Sequence, residues 1–249
     1  MFKALILAAG MGTRLSPLTD DRPKCLVEVA GDSMLYHQLS MLERVGIGEC
    51  IVAIGYKGDM IIDRFGSRFG SINLTYVDNP WYAETNNIYS LNLLQPFVDE
   101  ACVLIEGDVL CEEGIIADLV ANKSSDVAVL DYVSGAPDGT VVVANHRRVT
   151  RMLLKESQTK EMNYKHLLKT VNIYKFSRNT LVNHLFPEMQ ERINNGGSNI
   201  FYESVLADLI DSEAIQITPQ VVLGRRWIEV DNPLDLAKAQ QTFSHQPVA

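Results

Sequence analysis

Two glycines and two cationic side chains near the start of the sequence have the spacing of an anion-binding loop. Gly10 and Gly12 follow an apolar run at residues 2–9, which is typical of a buried parallel strand. Glycine lets the backbone reach positive φ and approach a bulky anion, so that N–H groups can point at phosphate oxygens. Arg14 adds a fork of donors, and Lys24 adds a point charge. The pattern predicts a triphosphate site at the carboxyl end of the first strand.

Two familiar phosphate-binding motifs do not account for this loop. A P-loop ends in a lysine followed by serine or threonine, and no such pair closes the turn. The glycine pattern of dinucleotide-binding folds would place its third glycine at Leu15, a side chain too large for close helix packing. The loop therefore belongs to another kind of nucleotide site.

The stretch resembles the signature of the nucleotidyltransferase family that makes NDP-sugars and CDP-alcohols, LAAGxGxRLxPLT followed by PK. The matching positions are Leu7, Ala8, Ala9, Gly10, Gly12, Arg14, Leu15, Pro17, Leu18, Thr19, Pro23 and Lys24. The resemblance implies that these loop residues bind the nucleotide together with Met11 and Thr13. It also implies that Arg14 and Lys24 are catalytic, because they would neutralise phosphate charge, and it makes Lys155 a third catalytic candidate.

The composition narrows the class of protein. A net charge of −9 over 249 residues argues against a surface for nucleic acid. The four cysteines lack the spacing of metal ligands, and we expect them to be reduced thiols. No apolar run is long enough to span a bilayer, and the start lacks the features of a signal peptide. We therefore expect a cytoplasmic protein without membrane contact.

Apolar periodicity alternates between strand and helix through the first part of the chain. The predicted strands are 2–9, 51–54 and 74–77, and the predicted helices are 34–45 and 60–69. This alternation predicts a parallel sheet, whose ligands bind outside the carboxyl ends of the strands. Gly55 and Tyr56 leave the second strand at that edge and are candidate nucleotide contacts.

The family resemblance implies the rest of the architecture. It indicates an α/β fold, a Rossmann-like three-layer sandwich with a mostly parallel central sheet and a small antiparallel insertion covering the active site. Further short strands are predicted at 141–143, 149–154 and 170–176, with a polar loop at 156–169. We expect a single domain at 1–243, with the insertion at about 131–176, and a disordered tail at 244–249.

Carboxylates follow two of the predicted strands. Asp108 comes just after a strand predicted at 101–105, two residues beyond Glu106, and its alternative role is to cap the next turn. In the second strand, which contains Trp227, the alternation of side chains puts Trp227, Glu229 and Asp231 on one face. Two acids on one face of a central strand are costly unless they meet a cation. The resemblance implies that Asp108 and Asp231 bind Mg²⁺, with Glu106 as a nucleotide contact.

Residues 84–94 combine a polar start with an apolar helical stretch. Asn86 and Asn87 suit either an N-cap or the reading of a base edge, because amides both donate and accept. The run NNIYSL resembles a stretch of bacterial phosphocholine cytidylyltransferases, and the Pro-x-Gly-Leu-Ala motif of sugar-activating members is absent. The resemblance implies CTP as the nucleotide, with Asn86, Asn87 and Ser90 among its contacts.

The resemblance also implies an acceptor pocket. Lys155 matches a family lysine that holds the acceptor's phosphate, although the neighbouring Glu and Pro are missing, and its alternative role is a solvated lysine. The other acceptor-binding candidates are Tyr89, Asn172, Tyr174, Glu203 and Trp227. Two arrangements could bind an ammonium group on the acceptor: a cage of aromatic side chains or the carboxylate of Glu203. The cage would draw on Trp81, Tyr82, Tyr89, Tyr132, Tyr174 and Trp227.

Together these features predict a Mg²⁺-dependent transfer of CMP from CTP to a small phosphate or phosphonate acceptor, with release of pyrophosphate. Phosphocholine and 2-aminoethylphosphonate are the acceptors that the resemblance suggests. The nucleophile is already anionic at neutral pH, so no general base is needed. The alternatives are a sugar-1-phosphate nucleotidyltransferase that uses dTTP, UTP or GTP, and a non-catalytic regulatory homologue. The oligomeric state is left open, with a homodimer as one option.

Overall fold

The computed structural model describes residues 2–133, 137–159 and 161–244. The strands are β1 (Phe2–Leu7), β2 (Glu28–Val29), β3 (Asp32–Ser33), β4 (Glu49–Ile54), β5 (Arg68–Phe69), β6 (Ile72–Asp78), β7 (Ala101–Glu106), β8 (Val109–Cys111), β9 (Val127–Tyr132), β10 (Val141–Ala144), β11 (Val149–Leu153), β12 (Leu168–Phe176), β13 (Thr218–Val221) and β14 (Trp227–Glu229). The helices are α1 (Met34–Arg44), α2 (Gly58–Phe65), α3 (Asn87–Asn92), α4 (Glu113–Ala121), α5 (Arg178–Thr180), α6 (Phe186–Asn194), α7 (Tyr202–Asp211) and α8 (Pro233–Phe243). A π-helical turn at Leu181–Leu185 joins α5 to α6. Apart from Ser244, the predicted tail lies outside the described residues.

The centre of the main sheet is parallel, as the alternation predicts. Strands β7, β1, β4 and β6 lie side by side in that order and all run in the same direction. In β1, Leu5 pairs with Ile51 on one side and with Leu104 on the other. Antiparallel strands β12, β10 and β11 extend the sheet beyond β7. The α/β class with a mostly parallel central sheet is confirmed.

Helices cover both faces of this sheet. Alternate residues of β1 belong to different cores, with Ala4 and Ile6 on one face and Leu5 on the other. Helices α1, α2 and α4 pack on the first face. Helices α3, α6 and α7 pack on the second face. Among the residues described, no helix combines the length and the apolar character needed to cross a bilayer.

A third, smaller core supports the glycine loop. Leu15, which follows the loop, is fully buried against Leu110 of β8 and Val230 at the end of β14. Ala239 of α8 lies in the same cluster. This core joins the beginning of the chain to its last helix, and it thereby brings Arg14 near Asp231.

Two secondary-structure predictions are wrong. The helix predicted at 60–69 begins at Gly58 and ends at Phe65, because Gly66 adopts a φ of 61° and stops it; β5 follows. The strand at Trp227–Glu229 is not central. It pairs antiparallel with β8, which was not predicted, in a separate two-stranded sheet. Asp231 lies just beyond that strand.

The predicted antiparallel segment is part of the main sheet. Strands β10 and β11 form a hairpin that joins the sheet through the first half of β12, while the second half of β12 pairs with β7. The register of β12 against β9 shifts between Thr170 and Tyr174, and Asn172 has a φ of 58°. Two short 3₁₀ turns, Lys155–Ser157 and Tyr164–His166, occupy the predicted polar loop.

Candidate functional site

A cavity of about 460 Å³ opens at the carboxyl ends of the parallel strands. The nucleotide-binding candidates that line it are Leu7, Ala8, Ala9, Gly10, Gly12, Thr13, Arg14, Lys24, Asn86, Asn87, Ser90, Glu106 and Asp108. The acceptor and metal candidates that line it are Lys155, Asn172, Glu203 and Asp231. Residues from both ends of the sequence therefore meet in one cavity.

Three candidate contacts with the nucleotide do not line the cavity in this structure. Met11, Gly55 and Tyr56 are not among the lining residues. The Tyr56 N–H donates to the Ala9 carbonyl (3.1 Å), so this residue holds the glycine loop from behind. A Cβ added at Gly55 would lie 2.9 Å from the same carbonyl oxygen. Gly55 and Tyr56 thus support the loop in this structure rather than face the cavity.

The glycine loop is shaped around the lysine that follows it. Gly12 has a φ of 64°, and a Cβ added there would lie 2.8 Å from the Cβ of Lys24. The missing side chain therefore leaves room for the stem of Lys24. The buried Thr19 hydroxyl donates to the Gly12 carbonyl (2.9 Å) and holds the turn closed.

Lys24 lies between two carboxylates. Its Nζ donates to Asp108 Oδ2 (2.5 Å) and to Asp231 Oδ1 (2.8 Å). The guanidinium of Arg14 also donates to Asp231 Oδ1 (2.6 Å). Burial disfavours the charged ammonium, but the two carboxylates outweigh it and hold the pKa of Lys24 above its ordinary value. The predicted cations and the predicted metal ligands thus form one cluster.

The carboxylates in this cluster fit a divalent cation. Oxygens of Asp108, Glu229 and Asp231 lie within 4.8 Å of one another. Asp108 Oδ1 is buried and has no hydrogen-bond partner. Hard cations such as Mg²⁺ take oxygen ligands of this kind. Glu229 was not predicted as a metal ligand. The sequence did contain a signal for it, because strand alternation places Glu229 on the same face as Asp231.

Backbone pairing positions the three acids. The Gly107 N–H donates to the Leu7 carbonyl (2.9 Å), which holds the turn containing Asp108 against the end of β1. Glu229 pairs with Val109 across the two-stranded sheet. The Val230 N–H donates to the Asp108 carbonyl (3.0 Å). Asp108 and Asp231 are therefore held together by main-chain contacts as well as by Lys24.

The two asparagines have different roles in this structure. Asn86 is the N-cap of α3, and its Oδ1 accepts from the Asn87 N–H (2.8 Å). Asn87 Nδ2 donates to Glu106 Oε1 (3.3 Å) and to Glu203 Oε2 (3.2 Å). The capping alternative is thus realised by Asn86, and the amide of Asn87 links two acids. Base reading by either residue stays a prediction.

Three acids that line the cavity are buried or partly buried, namely Glu203, Glu106 and Glu229. Burial raises the pKa of Glu203 to about 7. The pKa of Glu106 is raised well above its ordinary value by burial and by the charge of Glu203. Burial also raises the pKa of Glu229, although the Lys169 ammonium 3.1 Å away opposes the shift. Lys169 was not predicted as a site residue, and no pattern in the sequence indicates its contact with Glu229.

The polar acceptor candidates meet at the cavity, whereas the aromatic ones do not. Lys155 is exposed and forms an ion pair with Asp138. Asn172 Nδ2 donates to Glu229 Oε1 (3.1 Å). Tyr174 is fully buried and stacks on Phe176, with ring centroids 5.5 Å apart.

Trp227 and Tyr89 are also not among the lining residues. The Trp227 indole N–H donates to Asp131 Oδ2 (2.7 Å), and Tyr89 packs against the core on the second face. Among the described residues, the aromatic side chains that line the cavity are Tyr82 and Phe201. Of the six aromatic residues named for the cage, one, Tyr82, lines the cavity, and the cage stays an untested alternative.

Comparison with known proteins identifies the family. A family model described as nucleotidyl transferase matches residues 3–136, which is more than half of the chain. The chain therefore belongs to the nucleotidyl transferase family, and the resemblance inferred from the glycine loop is confirmed.

Individual relatives include cytidylyltransferases. The chain is 29% identical over 243 residues to CMP-5′-(3-aminopropyl)phosphonate synthase of Streptomyces rubellomurinus. The aligned region covers 97% of this chain and 39% of that protein. It is 40% identical over 96 residues to choline-phosphate cytidylyltransferase of Streptococcus pneumoniae, covering 37% of this chain and 39% of that protein. The matches thus span well under half of the length of these two relatives.

A solved structure shares the fold. The structure of CTP:phosphocholine cytidylyltransferase from Streptococcus pneumoniae superposes with a TM-score of 0.78, at 22% sequence identity. The match covers 96% of this chain and 98% of the other. The Rossmann-like arrangement is therefore shared along nearly the whole chain.

Proposed function

We propose that this protein transfers CMP from CTP to a small phosphate or phosphonate acceptor and releases pyrophosphate. The observation that carries the proposal is the meeting of the glycine loop, Lys24 and three carboxylates in one cavity. Sequence similarity to a CMP-phosphonate synthase along 97% of the chain supports both the nucleotide and the kind of acceptor.

An acceptor oxygen attacks the α-phosphorus of CTP. The new bond joins that oxygen to the α-phosphorus, the bond from the α-phosphorus to the bridging oxygen breaks, and pyrophosphate carries away the electron pair. Because the attacking oxygen is already anionic, no general base is required. Consistent with this, histidine is absent from the cavity lining among the described residues.

The main task of the site is to bring two anions together. Arg14 and Lys24 line the part of the cavity beside the glycine loop, where they would bind phosphate oxygens. Asp108, Glu229 and Asp231 would hold Mg²⁺, which when bound supplies positive charge at the reacting phosphate. Positioning and electrostatic stabilisation then provide most of the rate, as in phosphoryl transfer generally.

We assign Lys155 to the acceptor's phosphate or phosphonate group. It lines the cavity and forms its ion pair with Asp138 rather than with the carboxylates that bind Lys24, so we assign it to the acceptor rather than to the triphosphate. Lys155→Met should raise the KM for the acceptor by roughly tenfold, since a charge-assisted hydrogen bond is lost. The KM for CTP should change little. An equal rise in both KM values would count against the assignment.

The proposal is tested by pyrophosphate release in the presence of Mg²⁺. CTP, UTP, dTTP, ATP and GTP are each combined with amino-phosphates, amino-phosphonates and hexose-1-phosphates. We expect release with CTP and a small phosphate or phosphonate acceptor. Release only with a hexose-1-phosphate would instead support a sugar nucleotidyltransferase, and absence of release with every pair would support a non-catalytic homologue.

A further inference from the structure

Two glutamates on the cavity wall, the buried Glu203 and the partly buried Glu106, have no ionic partner among the described residues. Glu203 is 5% exposed, and both Glu203 and Glu106 line the cavity. Lys24 is engaged with the metal-ligand candidates, and Lys169 with Glu229. Across residues 2–133, 137–159 and 161–244, no lysine or arginine forms an ion pair with Glu106 or Glu203. Buried carboxylates of this kind are costly unless a cation joins them.

Glu106 and Glu203 share one hydrogen-bond donor, the neutral side-chain amide of Asn87. The Asn87 side chain donates to one oxygen of each carboxylate, so both acids face the same small region. Tyr202, a residue with no exposed surface, precedes Glu203, and its pKa is raised by burial and by the charges of Glu203 and Glu106. The two acids therefore lie close to each other in a poorly solvated region.

The cavity lining contains two aromatic residues among those described, Tyr82 and Phe201. A quaternary ammonium group has no N–H bond, and proteins bind it chiefly between aromatic rings. Tyr174, Trp227 and Tyr89 do not line the cavity. Phe201, which does line it, is 41% exposed. The chemistry of this wall therefore suits a cation that donates hydrogen bonds.

We infer that the acceptor carries an ammonium group with N–H bonds, and that Glu203 and Glu106 bind this group. The inference rests on the proposed function and narrows its acceptor to amino-phosphates or amino-phosphonates. The ammonium group supplies the missing positive charge and donates to carboxylate oxygens, which are the stronger kind of hydrogen bond. Its binding at this wall leaves the acceptor's anionic group free to extend towards the α-phosphate of the nucleotide.

A methylation series separates charge from hydrogen bonding. The acceptors are 2-aminoethyl phosphate and its N-methyl, N,N-dimethyl and N,N,N-trimethyl derivatives, which keep one positive charge while losing one N–H at a time. Pyrophosphate release with CTP gives kcat/KM for each, and uncharged propyl phosphate completes the series. We expect kcat/KM to fall along the series, with the trimethyl compound and propyl phosphate each at least about tenfold below the primary amine.

The same series distinguishes this inference from the proposed function. Equal or higher kcat/KM for the trimethyl compound, or for propyl phosphate, would overturn the inference and leave cytidylyl transfer in place. Absence of release with CTP and every acceptor would overturn the proposed function and this inference with it.

Variants test whether Glu203 causes the preference for an acceptor with an ammonium group. In Glu203→Gln, the ratio of kcat/KM between 2-aminoethyl phosphate and propyl phosphate should shrink by about tenfold or more. Glu191→Gln is the matched control, because Glu191 is exposed on α6 away from the cavity lining. An unchanged ratio in folded Glu203→Gln would remove Glu203 from the ammonium site.

Discussion

Lys24 Nζ lies 2.5 Å from Asp108 Oδ2, although the two residues are 84 positions apart in the sequence. One of them belongs to the phosphate-binding loop, and the other is a candidate metal ligand. A divalent cation and the lysine ammonium therefore compete for the same two carboxylates, although Asp108 Oδ1 has no hydrogen-bond partner. A bound metal would weaken the attraction of these carboxylates for Lys24, and phosphate is the natural new partner for the lysine.

Lys24→Met should separate these two roles. Without the competing ammonium, we expect the variant to bind Mn²⁺ roughly tenfold more tightly in the absence of nucleotide, and CTP more weakly by a similar factor. Titration calorimetry of each ligand alone measures both effects. Lys123→Met is the control, because Lys123 is exposed and lies outside the cavity lining. Weaker Mn²⁺ binding by Lys24→Met would contradict this account.

Asp108→Asn should lower turnover by roughly 10²–10³ or more, because it removes charge from the metal site at little steric cost. The measurement is pyrophosphate release with CTP, together with circular dichroism to show that the variant folds. Asp63→Asn, an exposed position on α2, should behave as the unmodified protein. A folded Asp108→Asn variant with a near-normal rate would exclude Asp108 from the site.

The geometry of the glycine loop predicts that alanine at Gly12 and alanine at Gly46 will differ in their effect on the KM for CTP. Gly12 and Gly46 both have positive φ, so replacement by alanine should cost each variant about 1 kcal/mol of stability. A Cβ at Gly46 meets open space, whereas one at Gly12 meets the stem of Lys24. Gly12→Ala should therefore also raise the KM for CTP, and Gly46→Ala should not. Equal kinetics in both variants would refute this role of Gly12.

Glu203 should make stability depend on pH. The pKa of this acid is raised from 4.5 to about 7 on folding, chiefly by burial. Between these values the folded state holds a proton that the unfolded state has lost, so stability falls as pH rises from about 4.5 to about 7. The Glu203→Gln variant has no carboxyl group at this position, so it should not show this fall in stability. It should be more stable than the unmodified protein at pH 8, by at most about 3 kcal/mol, with little difference at pH 4.5.

Urea unfolding at the two pH values measures this effect. Glu191→Gln, which changes an exposed acid, should follow the pH dependence of the unmodified protein. A Glu203→Gln variant with the same loss of stability between pH 4.5 and pH 8 would show that another group is responsible.

The sequence was sufficient to predict the central sheet and the glycine loop, because apolar runs and glycine spacing are local signals. It was not sufficient for the acceptor wall. Alternation places Asn172 and Tyr174 on one face of β12, but it does not tell how deep each lies. Asn172 reaches the cavity, whereas Tyr174, opposite Leu104 of β7, lies under the helices of the second face.

The long-range partners of the acids were also beyond sequence reasoning. Glu229 was placed on the same face as Asp231, but the partner strand β8 is only three residues long and gives no periodic signal. The bonds from Asn87 to Glu106 and Glu203 depend on the packing of three separate segments. Local patterns predict which residues are polar at a strand end, and tertiary packing decides which of them meet.

The pairing of β14 with β8 has a consequence for synthesis of the chain. The ribosome releases the glycine loop and Asp108 long before Glu229 and Asp231, which complete the carboxylate cluster. A nascent chain that ends before Trp227 lacks two of the three acids. A metal held by all three acids therefore cannot guide the early folding of this protein during translation, because the parallel sheet is synthesised before that cluster is complete.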